Sequence, residues 1–140
     1  MKRKQGAMYI DVVITTIITA IAIVAVFGVF TCLYTYSKVN SLADNIADFA
    51  AITGQVDGAA FTERYDALLT TYGLSKSNMH ISYDSRGGLA DNEAAVQYGE
   101  YFKVRFEYTY DLKYFGTNSN LSIPISINKI RLSQCYWKTN

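Results

Sequence analysis

The apolar residues of this chain first form one long uninterrupted run. Residues Val12 to Tyr34, 23 in all, contain no charged side chain, and about 20 consecutive apolar residues are enough for a helix to span a bilayer. One carboxylate, Asp11, stands immediately before the run, and the basic peptide from Met1 to Gln5 comes first. A charged acidic side chain at the start of a membrane helix makes insertion costly, which indicates that it has a function. We expect a membrane-spanning helix here.

Beyond Tyr34 the apolar residues recur at three- and four-residue spacing, which is typical of an amphipathic helix. The positions are Val39, Leu42, Ile46, Phe49 and Ala50. One helix from about Met8 to about Ile52 accounts for both patterns, and Gly54 and Gly58 supply its end. Because its second half has a single apolar stripe, we expect a small folded head to cover that stripe.

A second, shorter helix is predicted over residues 62–72. Its apolar positions have helical spacing: Tyr65, Leu68, Leu69 and Tyr72. Thr62 is a suitable N-cap, and Gly73 stands where a left-handed residue ends a helix. Leu74 is then expected to fold back on Leu69, as in a Schellman ending.

The period of the pattern then changes from that of a helix to that of a strand. From Tyr101 to Phe115, apolar and aromatic residues alternate with polar ones, which indicates a strand with one buried face. A shorter strand is expected at 80–83 and a turn at 115–120. Residues 85–99 are interpreted as a connecting segment, with one turn of helix near 92–96.

The last predicted strand contains an irregularity. Its apolar residues change parity along the chain: Ile123, Ile125 and Ile127, then Ile130 and Leu132. Keeping one face buried requires an extra residue at Asn128–Lys129, which a β-bulge accommodates. Pro124 cannot donate a ladder hydrogen bond, so we expect this strand at an edge of the sheet.

Together these elements predict an α+β fold. A long N-terminal membrane-spanning helix continues into a small head, which contains the second half of that helix, one short helix and an antiparallel sheet of three or four strands. A chain of 140 residues suits one such domain.

The distribution of charge predicts the topology. The head, Val39 to Asn140, holds nine Lys and Arg and eleven Asp and Glu, whereas the peptide before Gly6 holds three basic residues and no acid. Because basic flanks remain in the cytoplasm, the N-terminus is expected inside and the head outside. A head of mixed signs is not an evident nucleic-acid surface, and no nucleic-acid partner is predicted. Sheet packing explains the tyrosines better than base stacking does.

The sequence contains no recognisable catalytic, cofactor or metal site, so we expect a protein that is not an enzyme. His80 is the only histidine, and no nucleophile has an evident partner. Cys32 and Cys135 are expected to be unpaired within one subunit, since a disulfide requires Cα atoms within about 7 Å. Three aspartates are interpreted as a solvated face: Asp44, Asp48 and Asp57.

Three interpretations of the N-terminal segment compete. A removable secretory signal has an apolar core of about 7–15 residues, whereas this run is longer and follows an acid. A plain membrane anchor is the second interpretation. The third rests on Lys2-Arg3-Lys4-Gln5-Gly6 and on Asp11, which resemble the class III signal of type IV pilin-like proteins. We favour this third interpretation, in which the resemblance covers residues 2–35.

In that family a prepilin peptidase cuts after the glycine, and an acid occupies the fifth position of the mature chain. The resemblance therefore implies cleavage between Gly6 and Ala7. It also implies that Asp11 and the new α-amino group of Ala7 recruit subunits. The leader residues implied in recognition are Lys2, Arg3 and Lys4. Asp11 replaces the usual glutamate and Ala7 the usual aromatic residue, departures that resemble TadE-like pseudopilins and related small pilin-like proteins of Gram-positive bacteria.

Under this interpretation the chain has three parts: a cytoplasmic leader at 1–6, a transmembrane and filament-core helix at 7–38, and an extracytoplasmic head at 39–140. The resemblance implies a structural subunit of a type IV or Tad-like filament or secretion pseudopilus. The implied partners are copies of itself or other pilin-like subunits, the prepilin peptidase, an assembly ATPase and a polytopic membrane platform.

The expected location is single-pass in the cytoplasmic membrane before assembly and in an extracellular filament afterwards. Two alternatives stay open. One is a membrane-anchored extracellular binding or sensor domain that never polymerises, and the other is an adhesive or DNA-uptake minor pilin.

Overall fold

The computed structural model describes residues 2–85, 88–89, 92–113 and 120–136, with side chains described for 9–84, 95–112 and 121–136. In chain order the elements are α1 (Lys2–Thr53), α2 (Ala59–Tyr72), a 3₁₀ turn (Lys76–Asn78), β1 (Met79–Ser85), β2 (Gly88–Leu89), β3 (Asn92–Val96), β4 (Tyr101–Lys113) and β5 (Asn120–Leu132). The predicted α+β class, with a long apolar helix, a short helix and an antiparallel sheet, is confirmed.

The chain divides into two compact units, Met1–Tyr34 and Thr35–Asn140. The first contains the basic N-terminal residues and the apolar part of α1, and the second holds the remainder of α1 and every other described element. The boundary after residue 38 between the transmembrane helix and the head stays a prediction.

Helix α1 begins earlier than predicted and ends where predicted. It begins at Lys2 rather than near Met8, and its last residue is Thr53. Gly54 then adopts a left-handed conformation with φ of 66°, which a residue without Cβ adopts at low cost. Its N–H donates to the carbonyl oxygen of Ala50 at 2.8 Å, so the last turn closes before the chain leaves the helix axis.

The apolar stripe on the second half of α1 forms the helical side of the core. Its fully buried members are Val39, Leu42, Ala43, Ile46, Ala47 and Ala50. Phe49 is only partly buried and packs against the edge of this cluster.

Helix α2 begins three residues before its predicted start. Gly58, rather than Thr62, is the N-cap residue, and the Thr62 hydroxyl instead donates to the Gly58 carbonyl oxygen at 2.9 Å. The extra turn buries Phe61 in the core. The predicted ending is confirmed, because Gly73 is left-handed and the Leu74 N–H donates to the Leu69 carbonyl oxygen at 3.0 Å.

The main sheet has three antiparallel strands in the order β1-β4-β5. Strand β1 pairs with β4 from Met79↔Tyr108 to Ser85↔Phe102, which confirms the strand predicted at 80–83. The inner face supplies the remaining core side chains: Phe102, Val104, Phe106, Tyr108, Ile125 and Ile127. Residues 114–119, which contain most of the predicted turn, lie outside the described residues.

The predicted bulge at Asn128–Lys129 is wrong. Pairing between β4 and β5 keeps one register from Tyr101↔Leu132 to Lys113↔Asn120. The inner face of β5 therefore continues through Lys129 and Arg131, while Ile130 turns outward and is 60% exposed. The prediction that Pro124 marks an edge strand is confirmed, since β5 has only β4 beside it in this sheet.

The predicted turn of helix near residues 92–96 is also wrong. These residues form β3, which pairs with β2 in a two-stranded sheet. The Val96 N–H donates to the Gly54 carbonyl oxygen at 2.8 Å, and Gln55 forms a bridge with Ala95. Because Ala95 and Val96 are buried, their backbone groups need partners. Gly54 and Gln55, just after α1, are those partners, and they pair with residues 95 and 96 because these residues are extended.

The segment after β5 closes the end of α1. Ser133 is fully buried, and its hydroxyl donates to the Val96 carbonyl oxygen at 2.8 Å. The Gln134 N–H donates to the Ala51 carbonyl oxygen at 2.8 Å. Carbonyls in the last turn of a helix have no partner within the helix, so the C-terminal segment caps α1.

We expect Ile46→Ala to lower the free energy of unfolding of a fragment spanning residues 35–140 by about 2–5 kcal/mol, because it leaves a cavity between helix and sheet. Ile130→Ala is the matched control, since Ile130 is exposed, and its effect should stay within about 0.5 kcal/mol. Urea unfolding followed by circular dichroism measures both. Equal losses would contradict the packing of this stripe.

Candidate membrane and assembly site

The described part of the chain does not bury the apolar segment of α1. Among the described residues, α1 is the one helix long and apolar enough to cross a membrane, and none of its apolar window is buried. From Tyr9 to Tyr34 the large apolar side chains are exposed. An apolar surface of this size is unstable in water and marks a site for lipid or protein. It is therefore not the core helix of a soluble domain.

Tyrosines stand at both ends of this segment. Tyr9 lies just before the apolar run, and Tyr34 and Tyr36 lie at its other end, all three exposed. Tyrosine is enriched where a membrane meets water because its ring is apolar and its hydroxyl is polar. Tyr9 and Tyr34 are 25 residues apart, about 37 Å at 1.5 Å per residue, which suits a hydrocarbon core of about 30 Å with its interfaces.

The hydroxyl groups within the segment are satisfied by the helix itself. The side chains of Thr15, Thr16 and Thr19 each donate to the carbonyl oxygen four residues earlier, at 2.7–2.8 Å. Thr31 does the same toward Phe27. Since unsatisfied polar groups are costly in hydrocarbon, these bonds make the threonines compatible with lipid and leave them without need of a partner.

Asp11 differs from these threonines. Its side chain is exposed, and in the part of the chain whose side chains are described no group donates to its carboxylate. The Thr15 hydroxyl bonds to the backbone carbonyl of Asp11 and not to its side chain. A carboxylate beside hydrocarbon needs a cation or donors, so Asp11 is the group in this segment that requires a partner.

The remaining residues of the predicted site are described only in part. The backbone of Lys2, Arg3, Lys4, Gly6 and Ala7 belongs to α1, and their side chains lie outside the described residues. Cleavage after Gly6, leader recognition and the pairing of Asp11 with Ala7 therefore stay predictions.

A charged cluster, which the sequence pattern did not predict, joins β5 to α1. The Lys129 ammonium lies 2.8 Å from the Asp44 carboxylate and donates to the Asn40 side-chain oxygen at 2.9 Å. The Arg131 guanidinium lies 2.9 Å from Asp44 and 2.6 Å from Asp48. We call these five residues the Lys129–Arg131 clamp.

The clamp adds ion pairs to two of the aspartates interpreted as a solvated face, since Asp44 and Asp48 keep 38% and 59% of their side chains exposed and both contact cations of β5. Asp44 and Asp48 are one helical turn apart, so both face the inner side of β5. The two cations, Lys129 and Arg131, are two residues apart on that same face of the strand. The hydrogen bond from Lys129 is the largest cause that lowers the pKa of Asp44, while partial burial opposes it. The hydrogen bond to Asp48 raises the pKa of Arg131.

The sequence did hold a signal for the clamp. If β5 keeps strict alternation, its buried parity runs on from Ile127 to Lys129 and Arg131. Buried cations must be paired, and the nearest apolar helix carries Asp44 and Asp48 at helical spacing. A regular strand, in which Asp44 and Asp48 neutralise the two cations, could therefore have been preferred to a strand with a bulge.

The other polar residues noted in the sequence are not brought together into a site. Cys32 and Cys135 are both half-buried and form no disulfide in the described part of the chain. His80 is exposed on β1, opposite Glu107 of β4. No group of three metal-ligating side chains occurs among the residues that the structure describes. Tyr108 and Tyr110 pack into or against the core, which agrees with sheet packing.

Comparison with known proteins gives one match. A family model described as a domain of unknown function, DUF4320, matches residues 12–138. That range covers the whole apolar run and all of the head except its last two residues. No curated protein and no solved structure matches the chain significantly.

The clamp makes the stability of the head depend on pH. Asp44 has a folded pKa below its ordinary value of 3.8, so its stabilisation is present above that value and is lost as pH falls through the lowered folded pKa. We expect Asp44→Asn to destabilise the 35–140 fragment by about 1 kcal/mol at pH 7.

The same difference between Asp44→Asn and the parent fragment should shrink as pH falls below 3.8. Asp57→Asn is the matched control, because the Asp57 carboxylate accepts only from the neighbouring Gly58 N–H among described groups. Urea unfolding at several pH values measures both variants. A loss for Asp44→Asn that does not change with pH would contradict an ionic role.

Proposed function

The chain belongs to the DUF4320 family, and we propose that it is a structural pilin-like subunit of a type IV or Tad-like filament or secretion pseudopilus. In this proposal the apolar part of α1 first holds the protein in the cytoplasmic membrane. After removal of residues 1–6, the same part of α1 packs into the filament. The head, which follows it, stands outside the cell.

One observation carries this proposal: no residue of the apolar run is buried in the described structure of α1 except in part, and the carboxylate of Asp11 at its start has no described partner. A passive anchor needs the apolar surface but not the acid, since an acid only makes insertion more costly. An assembly helix has a use for both. Its apolar surface is solvated by lipid before assembly and by other helices afterwards, so the transfer costs little hydrophobic free energy.

The carboxylate gives the assembly step its specificity. At low dielectric an unpaired charge is strongly disfavoured, whereas a paired and hydrogen-bonded charge is tolerated. Cleavage after Gly6 would create a positive α-amino group on Ala7, four residues before Asp11. We propose that Asp11 of one subunit pairs with the α-amino group of Ala7 on a neighbouring subunit, which makes the filament the place where both charges are neutralised.

The proposal requires partners that fit each stage. A prepilin peptidase would recognise Lys2, Arg3 and Lys4 on the cytoplasmic side. An assembly ATPase and a polytopic membrane platform would supply the work of moving the subunit out of the bilayer. The filament contacts would be made with copies of this chain or with other pilin-like subunits. The charge distribution supports a position of the head on the outer side.

A second candidate is a membrane-anchored binding domain, with or without assembly as a minor pilin. It is favoured by exposed tyrosines near one end of the head: Tyr98, Tyr101 and Tyr136. Buried Ser133 bonds to the backbone of Gly99 and Glu100 beside them, so the three rings project from a fixed segment. Exposed aromatic groups of this kind are common in binding surfaces.

Processing separates the first proposal from a passive anchor. We expect protein isolated from cells to begin at Ala7, because the basic leader and Gly6 precede the apolar helix directly. Intact-mass measurement and N-terminal sequencing check this start. Gly6→Val should leave the leader attached. A chain that begins at Met1, or one cut beyond Tyr34, would contradict the pilin-like proposal.

Assembly should depend on the charge of Asp11. We expect Asp11→Asn to insert into the membrane and to be cut after Gly6, but to be nearly absent from sheared filaments, because one charge of the pair is removed. Asp11→Glu should restore incorporation. Thr15→Val is the matched control, since the Thr15 hydroxyl is satisfied within α1. Immunoblots of sheared and membrane fractions measure the ratio, and normal incorporation of Asp11→Asn would disprove the pairing role.

A further inference from the structure

Strand β5 runs in the same direction as the Thr35–Thr53 part of α1. Lys129 contacts Asn40 and Asp44, and Arg131 contacts Asp44 and Asp48. Gln134 then bonds to Ala51. Successive residues of β5 therefore meet successive turns of α1, and the beginning of β5 lies toward the Thr35 end of this unit.

The β4–β5 hairpin extends beyond the third strand at that end. Strand β1 pairs with β4 only as far as Tyr108, and the 3₁₀ turn reaches one residue farther, where the Asn78 amide donates to the Thr109 carbonyl oxygen at 3.1 Å. Strands β4 and β5 continue together to the Lys113↔Asn120 pair. We call this two-stranded extension, residues 109–113 and 120–124, the hairpin arm.

One face of the hairpin arm is apolar, and most of its residues lie outside the core cluster. Two cross-strand pairs form it: Tyr110↔Ile123 and Leu112↔Leu121. Tyr110 packs on the edge of the core, whereas Leu112 and Ile123 are half-buried outside the core cluster and Leu121 is 53% exposed. The opposite face is polar, with the Ser122 hydroxyl donating to Asp111 at 2.6 Å. The arm is thus amphipathic, with its apolar side on the α1 side of the sheet.

The arm reaches the Thr35 end of the second compact unit. Leu121 lies eight residues before Lys129, about 26 Å at 3.3 Å per residue of strand. Thr35 lies five residues before Asn40, only about 8 Å at 1.5 Å per residue of helix. Even an inclined strand therefore brings Leu121 to the Thr35 end of the unit. The residue before Thr35 is Tyr34, the last of the apolar run.

We propose that the apolar face of the hairpin arm, formed by Tyr110, Leu112, Leu121 and Ile123, binds the outer lipid surface of the membrane before assembly. The described side chains of this face carry no charge, and a tyrosine beside aliphatic residues suits the boundary between headgroups and acyl chains. The polar face, with Asp111 and Ser122, remains in water. The inference rests on the proposed membrane anchoring, and the arm adds a second attachment to the bilayer.

The exposed isoleucine at the other end of β5 provides a built-in comparison. Ile130 is as apolar and as exposed as Leu121, but it lies on the outer face and beside the Lys129–Arg131 clamp. Only Leu121 combines exposure with a position at the Thr35 end. The proposal therefore predicts lipid contact for Leu121 and none for Ile130, although the two residues are similar in hydrophobicity and exposure.

The test uses the full chain, with Cys32 and Cys135 changed to serine, in vesicles of phosphatidylcholine and phosphatidylglycerol. A single cysteine at Leu121→Cys, Ile130→Cys or Ile18→Cys carries an environment-sensitive fluorophore. Nitroxide-labelled phosphatidylcholine in the same vesicles quenches a fluorophore that touches lipid. Ile18 lies within the apolar run and reports on the anchor itself. Circular dichroism checks that each variant keeps the fold.

We expect quenching at positions 18 and 121 and little loss of fluorescence at 130. Quenching at 18 alone would overturn the lipid contact of the hairpin arm while leaving the anchor intact. Absence of quenching at both 18 and 121 would disprove the membrane anchoring on which the inference rests. A blue-shifted but unquenched signal at 121 that disappears on dilution with lipid would assign the arm to a second copy of the chain instead.

Discussion

The packing of one helical stripe against one sheet face underlies the fold of the head. The stripe on α1 from Val39 to Ala50 is apolar on one side only, and the inner faces of β4 and β5 are the surface that covers it. Burial of this kind contributes about 25 cal/mol for each Å² of apolar area. Helix α2 and the segment after β5 complete the enclosure, and the backbone bonds around Gly54 and Ala51 hold the end of α1 in place.

The clamp extends this packing to the edge of the sheet, where exposed apolar residues would favour aggregation. An edge strand with apolar residues on both faces invites pairing with another chain. In β5 the inner positions 129 and 131 are cationic, and Asp44 and Asp48 neutralise them. Lys129 keeps only 16% of its side chain exposed, so its pairing matters to the head. Charge thus determines how β5 is placed on α1.

The same helix meets a different environment in its first half. There its apolar residues surround the whole circumference, its threonines are satisfied internally, and the Asp11 carboxylate has no partner among the described side chains. A helix that is apolar on all sides is suited to lipid or to a bundle of like helices. The proposed function uses both environments in turn, and the hairpin arm is proposed to hold the head to the lipid surface during the first of them.

The sequence by itself determined the elements whose signals are local. The apolar run, the three- and four-residue spacing of α1 and the Gly73 ending of α2 follow from side chains close in sequence. The prepilin-like signal also rests on neighbouring residues, and it stays a prediction. Two features were decided only by the tertiary structure: β3 in place of a helical turn, and the earlier start of α2. The tertiary structure also decided between a bulge and the regular strand through Lys129 and Arg131. In each, a contact between distant segments outweighed the local pattern, since Asp44 paired the cations, Gly54 supplied a backbone partner to Val96, and the core accepted Phe61.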